Sequence, residues 1–362
     1  MIFAKITVRL LSAENHTHER FMQRCFDLAL NGAGNVAPNP LVGAVVVHEG
    51  KIIGEGYHAV YGGPHAEVNT INSVLSENKA LLPHSTLYIN LEPCCHFGKT
   101  PPCTDLIIQA GIRKIVFSNQ DPNPVSSGGA VLLRSVGCEV TTGILEQQGA
   151  WLNRRFFTRI IKKRPYIILK WAQSADGFFT RKAKEQHWIT GEQSKRLAHR
   201  WRSEEAAILC GTNTAAVDNP QLTNRLWLQG KQPLRVVLDR TLRLSSNLHV
   251  FDSAAQTFVF TEKQKADSAN VRYAQIPFDE NLLNTVLQRL FEMGILSVLV
   301  EGGARLLTSF IQENLWDEAR IFTGSAWFGE GISAPALKGN SIAEEKCSND
   351  NLKILTPLST NN

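Results

Sequence analysis

Two hydrophobic periods take turns along this chain. From about Glu19 to Leu30 apolar residues recur at helical spacing, and Asn31-Gly32 stops the run. Leu41–His48 is a nearly continuous apolar stretch rich in valine. Glu49-Gly50 and a second stretch, Lys51–Tyr57, complete a hairpin signal. A helix is expected from near His65, with Val68, Ile71, Val74 and Leu75 on one face. Ser85–Asn90 and Lys114–Ser118 read as strands, with a helix around Ile107–Gln109 between them. After the opening hairpin, strands and helices alternate, which predicts an α/β/α sandwich.

A fresh α/β pattern follows a boundary near 150–165. Its predicted strands are Tyr166–Trp171, Ala206–Cys210, Arg235–Asp239, Thr257–Thr261 and Leu296–Val300. Its helices lie around Glu192–Arg202, Asn281–Met293 and Ala304–Ile311. No repeat of fixed period is visible, and from about Ser348 the chain turns polar enough to predict fraying. A length of 362 residues suits roughly two domains. The expected division is a leader over 1–16, domains over 17–160 and 165–350, and a tail over 351–362.

Composition changes this picture little. Hydrophobic content of 43% and charged content of 20% are ordinary for a globular protein, and a net charge of +5 is small for the length. Lys5, Arg9, Glu14 and His16 interrupt the opening segment, so no secretory signal is expected, and no apolar run approaches a membrane span. The seven cysteines are odd in number and mostly far apart, which suits a cytoplasmic protein with reduced thiols.

Chemistry concentrates in the first domain. His65-Ala66-Glu67, Pro93-Cys94 and Cys103 have the order H-x-E, P-C, C of the zinc-dependent nucleobase deaminases. Three protein ligands leave one position of a tetrahedral zinc open, the pattern of a catalytic site. Residues two apart on a helix do not face each other, so His65 and Glu67 can share a site only at a helix start. Gly62-Gly63-Pro64 supports such a start, and Thr100-Pro101-Pro102 places Cys103 at another. The expected reaction is attack of zinc-activated water on an amino-bearing ring carbon, with Glu67 moving the protons. A structural zinc with Cys95 or His96 as fourth ligand is the alternative. Cys138 and Cys210 read as buried thiols. In the second domain, Leu296–Val300 ends in Glu301-Gly302-Gly303 before a helix, a turn that lets phosphate approach the backbone.

Nearly the whole chain resembles the bifunctional riboflavin-biosynthesis deaminase/reductase family. The resemblance rests on Asn39-Pro40-Leu41-Val42-Gly43-Ala44, Gly63-Pro64-His65-Ala66-Glu67-Val68 and Leu91-Glu92-Pro93-Cys94 through Thr100-Pro101-Pro102-Cys103. In the second half it rests on Leu169-Lys170, Ser174-Ala175-Asp176-Gly177, Trp188-Ile189-Thr190-Gly191, Thr214, Asp218-Asn219-Pro220, Leu222-Thr223 and Val300-Glu301-Gly302-Gly303. It implies an α/β fold class: an N-terminal cytidine-deaminase-like α/β/α sandwich and a C-terminal dihydrofolate-reductase-like domain. The activities implied are deamination of 2,5-diamino-6-ribosylamino-4(3H)-pyrimidinone 5′-phosphate, then NADPH-dependent reduction of the ribosyl side chain. Self-association is implied too.

By position, His65, Cys94 and Cys103 match the zinc ligands and Glu67 the proton shuttle. Asn39, His58, His96 and Lys99 match substrate contacts of the deaminase. Ala172, Trp188, Thr214, Asp218 and the segment Gly303, Ala304, Arg305, Leu306, Leu307, Thr308, Ser309 match cofactor contacts. Gln186, Arg202, Leu222, Arg225 and Glu301 match substrate contacts of the reductase, where two arginines suit a phosphate. Three positions depart from the family's usual residues: Cys95 and Gln186 stand where serine is common, and Trp171 is bulkier than usual. Lys170 is a candidate proton or charge partner in the reduction. The competing enzyme reading is a nucleic-acid base deaminase, with the six basic residues of Asn153–Arg164 as a binding stripe rather than a solvated helix. A third reading makes the first domain a zinc-stabilised scaffold. The resemblance favours a small-molecule substrate, with neither nucleic acid nor membrane as partner.

Overall fold

The computed structural model describes residues 13–98, 101–181, 189–227 and 230–358. These fall into two units that divide between Lys163 and Arg164.

The first unit opens with α1 (Ala13–Leu30), the hairpin β1 (Gly43–His48) and β2 (Lys51–Tyr57), and α2 (Ala66–Asn72). It continues with β3 (Thr86–Leu91), α3 (Cys103–Gln109), β4 (Lys114–Asn119), α4 (Gly129–Ser135), β5 (Glu139–Thr142), α5 (Glu146–Leu152) and α6 (Arg154–Lys162). The sheet runs β2-β1-β3-β4-β5, antiparallel at the hairpin and between β1 and β3, and parallel onward.

The valine run of β1 is apolar throughout because both its faces are covered. Ala44 and Val46 join Ile71, Leu87, Ile89, Ile107 and Phe117 in one core, while Val45 and Val47 meet Phe21, Met22, Cys25 and Tyr88 in the other. Burying each such aliphatic side chain contributes about 1.5–3 kcal/mol before entropy is counted. Gly43 lets α1 lie directly on the sheet, since a Cβ there would sit 2.3 Å from the Cys25 carbonyl oxygen. The helix expected from Glu19 begins at Ala13, inside the span read as leader.

The second unit starts with β6 (Tyr166–Gln173), β7 (Phe178–Thr180), α7 (Glu192–Glu204), β8 (Ala207–Gly211), α8 (Thr212–Asp218), β9 (Leu234–Leu238), β10 (Thr257–Thr261) and β11 (Val271–Gln275). Then come α9 (Leu282–Glu292), β12 (Ser297–Val300), α10 (Ala304–Gln312), β13 (Glu318–Thr323), β14 (Ile332–Ser333), β15 (Asn340–Cys347) and β16 (Asp350–Thr356). Nine strands form one sheet in the order β11-β10-β9-β8-β12-β6-β13-β16-β15, parallel except for β15 and β16. A small ladder joins β7 to β14. Alternate residues of β6 feed opposite cores: Ile167, Leu169 and Trp171 pack towards α9 and α10, and Tyr166 and Ile168 towards α7.

The tail expected to fray does not begin where its polarity suggests. Residues 350–356 form β16 between β13 and β15, with Leu352, Ile354 and Leu355 buried. Asp350 is buried too, accepting bonds from the Gly191 N–H (2.8 Å) and the Ser194 hydroxyl (2.6 Å) at the start of α7. Among the described residues no helix is long and apolar enough to cross a membrane.

Candidate active sites

In the first unit the loop before α2 turns at Gly62 (φ 80°) and delivers His65 at the helix N-cap in extended geometry. His65 and Glu67 therefore flank a helix start, as their spacing requires. Cys94 follows β3, and Cys103 is the first residue of α3. The Nδ1 of His65 lies 3.6 Å from the Cys94 sulfur and 3.3 Å from the Cys103 sulfur, and all three ligand atoms fall within 4.8 Å of one another. The Cys103 N–H also donates to the Cys94 sulfur at 3.4 Å. One imidazole and two thiols, mostly buried and converging on one point, fit a zinc ion in donor type and number.

Cys95 points elsewhere, its thiol donating to the Ser127 carbonyl at 3.0 Å. Among the described residues neither Cys95 nor His96 joins the cluster, so a closed four-ligand site is not formed. The Cys94 thiol is pulled down to about 4, first by the Cys103 thiol and also by His65. Glu67 is buried, and burial, then the negative charge of Cys94, pushes its carboxyl up to about 7.

A cavity of about 250 Å³ opens onto this cluster. Asn39, His58, Glu67 and His96 line it. The His58 Nδ1–H donates to the Pro64 carbonyl (2.9 Å), which leaves Nε2 to accept from the Asn39 amide (3.1 Å). That bond fixes the Asn39 amide and leaves its oxygen for a ligand. His96 keeps a buried Nδ1 without a hydrogen-bond partner among the described residues. Lys99 lies outside the described residues.

The sequence reading assigned nothing to the far wall, made by Asp121, Asn123 and Ser126. Buried Glu92 builds it. One carboxylate oxygen accepts from the Gly128 (3.2 Å) and Ala130 (2.9 Å) N–H groups, and the other from the Asp121 N–H (3.1 Å). Asp121 in turn accepts from the Asn123 N–H (2.9 Å) and the Ser126 hydroxyl (2.5 Å). A visible signal was Glu92 itself, an acid directly before Pro93-Cys94 at the end of an apolar strand.

In the second unit, the end of β12 brings Glu301 against Arg202 of α7. Two parallel bonds of 2.8 and 2.7 Å join them, and the Lys170 ammonium lies 3.8 Å from the same carboxylate. Burial alone would raise the Glu301 carboxyl, but Arg202 and Lys170 outweigh it and hold it at about 2. The Arg202 guanidinium thus holds Glu301 and also donates to the Thr223 carbonyl at 3.2 Å. Arg225 differs: its backbone N–H donates to His199 Nδ1 (3.1 Å), while its exposed guanidinium has no hydrogen bond or ion pair with any described residue. Leu222 is buried in the left-handed region (φ 49°), where the chain turns towards Arg225.

Gly303 caps α10 with no side chain over the helix end. A Cβ on Gly303 would come within 3.1 Å of the Thr214 hydroxyl, so the turn and α8 adjoin. This open, glycine-lined helix start fits a phosphate-bearing cofactor. Ala172 stands half-buried in β6, and Ala304, Thr308 and Ser309 are half-buried on α10, with Arg305 exposed. Leu306 and Leu307 turn their side chains inward from the expected contact segment. The Leu307 side chain is wholly buried in the core, and Leu306 packs against that core and Gly302. Asp218 is exposed at the end of α8, followed by left-handed Asn219, whose side-chain oxygen accepts from the His249 N–H (2.8 Å). Gln186 and Trp188 lie outside the described residues.

Comparison with known proteins gives a family for each unit. Residues 15–119 match the cytidine and deoxycytidylate deaminase zinc-binding region, and residues 165–353 match the RibD C-terminal domain. The riboflavin biosynthesis protein RibD of Aquifex aeolicus is 42% identical over 331 residues, covering 90% of this chain and 92% of its own. This chain belongs to the RibD family.

RibD of Bacillus amyloliquefaciens is 39% identical over 328 residues, 88% of this chain and 87% of that protein. Among solved structures, the Thermotoga maritima diaminohydroxyphosphoribosylaminopyrimidine deaminase/5-amino-6-(5-phosphoribosylamino)uracil reductase superposes with a TM-score of 0.87. It is 39% identical and covers 95% of this chain and 100% of that one. Acinetobacter baumannii RibD follows at 0.85 and 31% identity, covering 95% of this chain and 100% of that one. Like its relatives, the chain is a bifunctional enzyme of riboflavin biosynthesis. Its first unit is a cytidine-deaminase-like zinc hydrolase, and its second is a dihydrofolate-reductase-like, NADPH-dependent oxidoreductase.

Proposed function

We propose that the first unit removes the 2-amino group of 2,5-diamino-6-ribosylamino-4(3H)-pyrimidinone 5′-phosphate, taking up water and releasing ammonia. The second then reduces the ribosyl side chain of the product, 5-amino-6-(5-phosphoribosylamino)uracil. The observation that carries this reading is the convergence of His65, Cys94 and Cys103 beside buried Glu67 at one cavity. Zinc, when bound by those three side chains, supplies an acidified water near neutral pH. Glu67 takes one proton from the attacking water and gives it to the ring nitrogen, then carries the second, from the new hydroxyl, to the departing amine. Asn39, held by His58, presents its amide oxygen to the pyrimidine edge, and His96 and Lys99 meet the ribose phosphate.

In the second unit NADPH supplies the hydride, and the protein orients it and excludes water. Thr214, Ala172, Trp188, Asp218 and the Gly303–Ser309 turn hold the cofactor, Leu307 from its backbone only. Arg225 takes the substrate phosphate, and Gln186 and Leu222 contact the same substrate. Arg202 holds Glu301, which sets the charge of Lys170 for the opening of the ribose. The two activities divide at 160–165, and the protein works in the cytoplasm as a homo-oligomer. Glu67→Gln tests the reading. Ammonia release should fall by about 10²–10⁴-fold with zinc still bound and NADPH oxidation of the deaminated substrate intact. Unchanged ammonia release would leave the first unit a scaffold.

A further inference from the structure

Four backbone groups of the Thr223–Arg225 segment are each held by a side chain rather than by a neighbouring strand. Arg202 donates to the Thr223 carbonyl at 3.2 Å. Gln232 accepts from the Asn224 N–H at 2.7 Å and donates to the Asn224 carbonyl at 2.8 Å. His199 accepts from the Arg225 N–H at 3.1 Å. His199 and Arg202 are three apart on α7, on the same helix face, so one helix fastens both ends of the segment. What the segment presents is the Arg225 guanidinium, which no described residue engages.

The charges around it are unbalanced. Lys170, Arg202 and Arg225 are three basic side chains, and among the described residues Glu301 is the carboxylate paired with the first two. A surplus of positive charge in a part-buried cluster suits a phosphate monoester, and it forbids a further cation at His199. Burial, then Arg202 and Arg225, push His199 down to about 4, so at neutral pH the ring is uncharged and Nδ1 is free to accept. We propose that His199 is a positioning residue of the reductase. Its Nδ1 fixes the Arg225 backbone, so that the unengaged guanidinium is already in place when the substrate phosphate arrives. This rests on the reading of Arg225 as the phosphate contact.

The test uses the full chain with 5-amino-6-(5-phosphoribosylamino)uracil and its phosphate-free nucleoside, following NADPH oxidation. Losing the acceptor should raise KM for the phosphorylated substrate about tenfold in His199→Leu. The same substitution should leave kcat, the KM for NADPH, the nucleoside KM and ammonia release within about twofold. His199→Asn, whose amide oxygen replaces Nδ1, should restore KM to within about threefold of the parent, and His199→Gln, with its acceptor displaced, should not. Arg225→Ala is the control. If it leaves the preference for phosphate unchanged, the reading of Arg225 fails. If Arg225→Ala removes that preference and His199→Leu does not weaken it, the positioning role fails. Should His199→Leu not fold, as judged by lost NADPH binding, the Asn and Gln variants decide, and equal KM values for the two overturn the proposal.

Discussion

Glu92→Gln is the sharpest probe of how the deaminase cavity is built. The carboxylate accepts three backbone N–H groups: Gly128 and Ala130 on one oxygen and Asp121 on the other. Glutamine has the same shape but only one acceptor oxygen. Placed at the start of α4, that oxygen keeps two bonds, and the amide nitrogen then confronts the Asp121 N–H, donor against donor. A buried donor left unsatisfied costs about 1–3 kcal/mol, and the two surviving bonds lose their charge assistance. Together these put the local loss at about 2–4 kcal/mol.

The loss falls on the segment that presents Asp121, Asn123 and Ser126 to the cavity, while the His65, Cys94 and Cys103 side chains keep their own contacts. Carried in full into binding, that loss should raise KM for the diaminopyrimidine phosphate about 30–700-fold at 1.4 kcal/mol per decade. Ammonia release against substrate concentration measures this. Zinc content and NADPH oxidation of pre-deaminated substrate serve as references within the same chain. A parental KM in Glu92→Gln would refute the argument. So would a loss of zinc in step with the loss of activity, because that would place the role of Glu92 at the ligands and not at the wall.

Other expectations follow from single contacts. In Gly129→Ala the new Cβ would lie 1.9 Å from the Pro93 carbonyl oxygen, backbone against backbone. The residue before Cys94 must move, so zinc retention in metal assays and ammonia release should both fall at least tenfold while the reductase survives. Arg202→Ala strands a buried carboxylate with Lys170 at 3.8 Å as its remaining partner. That should cost about 3–5 kcal/mol, seen as early thermal loss of NADPH oxidation, and Arg202→Ala combined with Glu301→Ala should regain part of it. The reductase should also lose thermal stability in acid, in two stages. His199, held near 4, binds no proton when folded, so its contribution is intact above its ordinary 6.5 and is lost as pH falls from there to about 4. That is worth about 2 kcal/mol after discounting for solvent. Glu301, held near 2, adds a loss from its ordinary 4.5 downward. An inactivation temperature that is flat between pH 7 and 5, or an unchanged slope in His199→Asn, would count against this.

Where the sequence was legible, a single period or a single motif governed the structure. The valine run of β1 and the H-x-E spacing at a glycine-proline turn each admit one arrangement, and β10 was predicted to its end residues. Strand β13 was missed because its apolar alternation is broken by Glu318 and Arg320. Both are buried and joined at 2.6 Å, and Tyr166 donates to the same carboxylate at 3.1 Å, so a charge pattern that reads as solvent-facing is internal. β16 hid in the same way, its buried Leu352, Ile354 and Leu355 set among polar residues and led by an aspartate that caps α7.

The sites show the same division. His65, Cys94 and Cys103 are placed by element and spacing, so sequence reveals that they meet. Glu92 and His199 act on backbone N–H groups distant in the chain, and no local pattern records which N–H a buried acceptor will meet. Motif matching therefore finds the groups that converge on a site and passes over those that hold them. In this chain the side chains that hold the site bind backbone at Asp121, Gly128, Ala130 and Arg225. Substitutions at Glu92 and His199 should consequently change affinity before they change the chemical step, the reverse of what Glu67 should do.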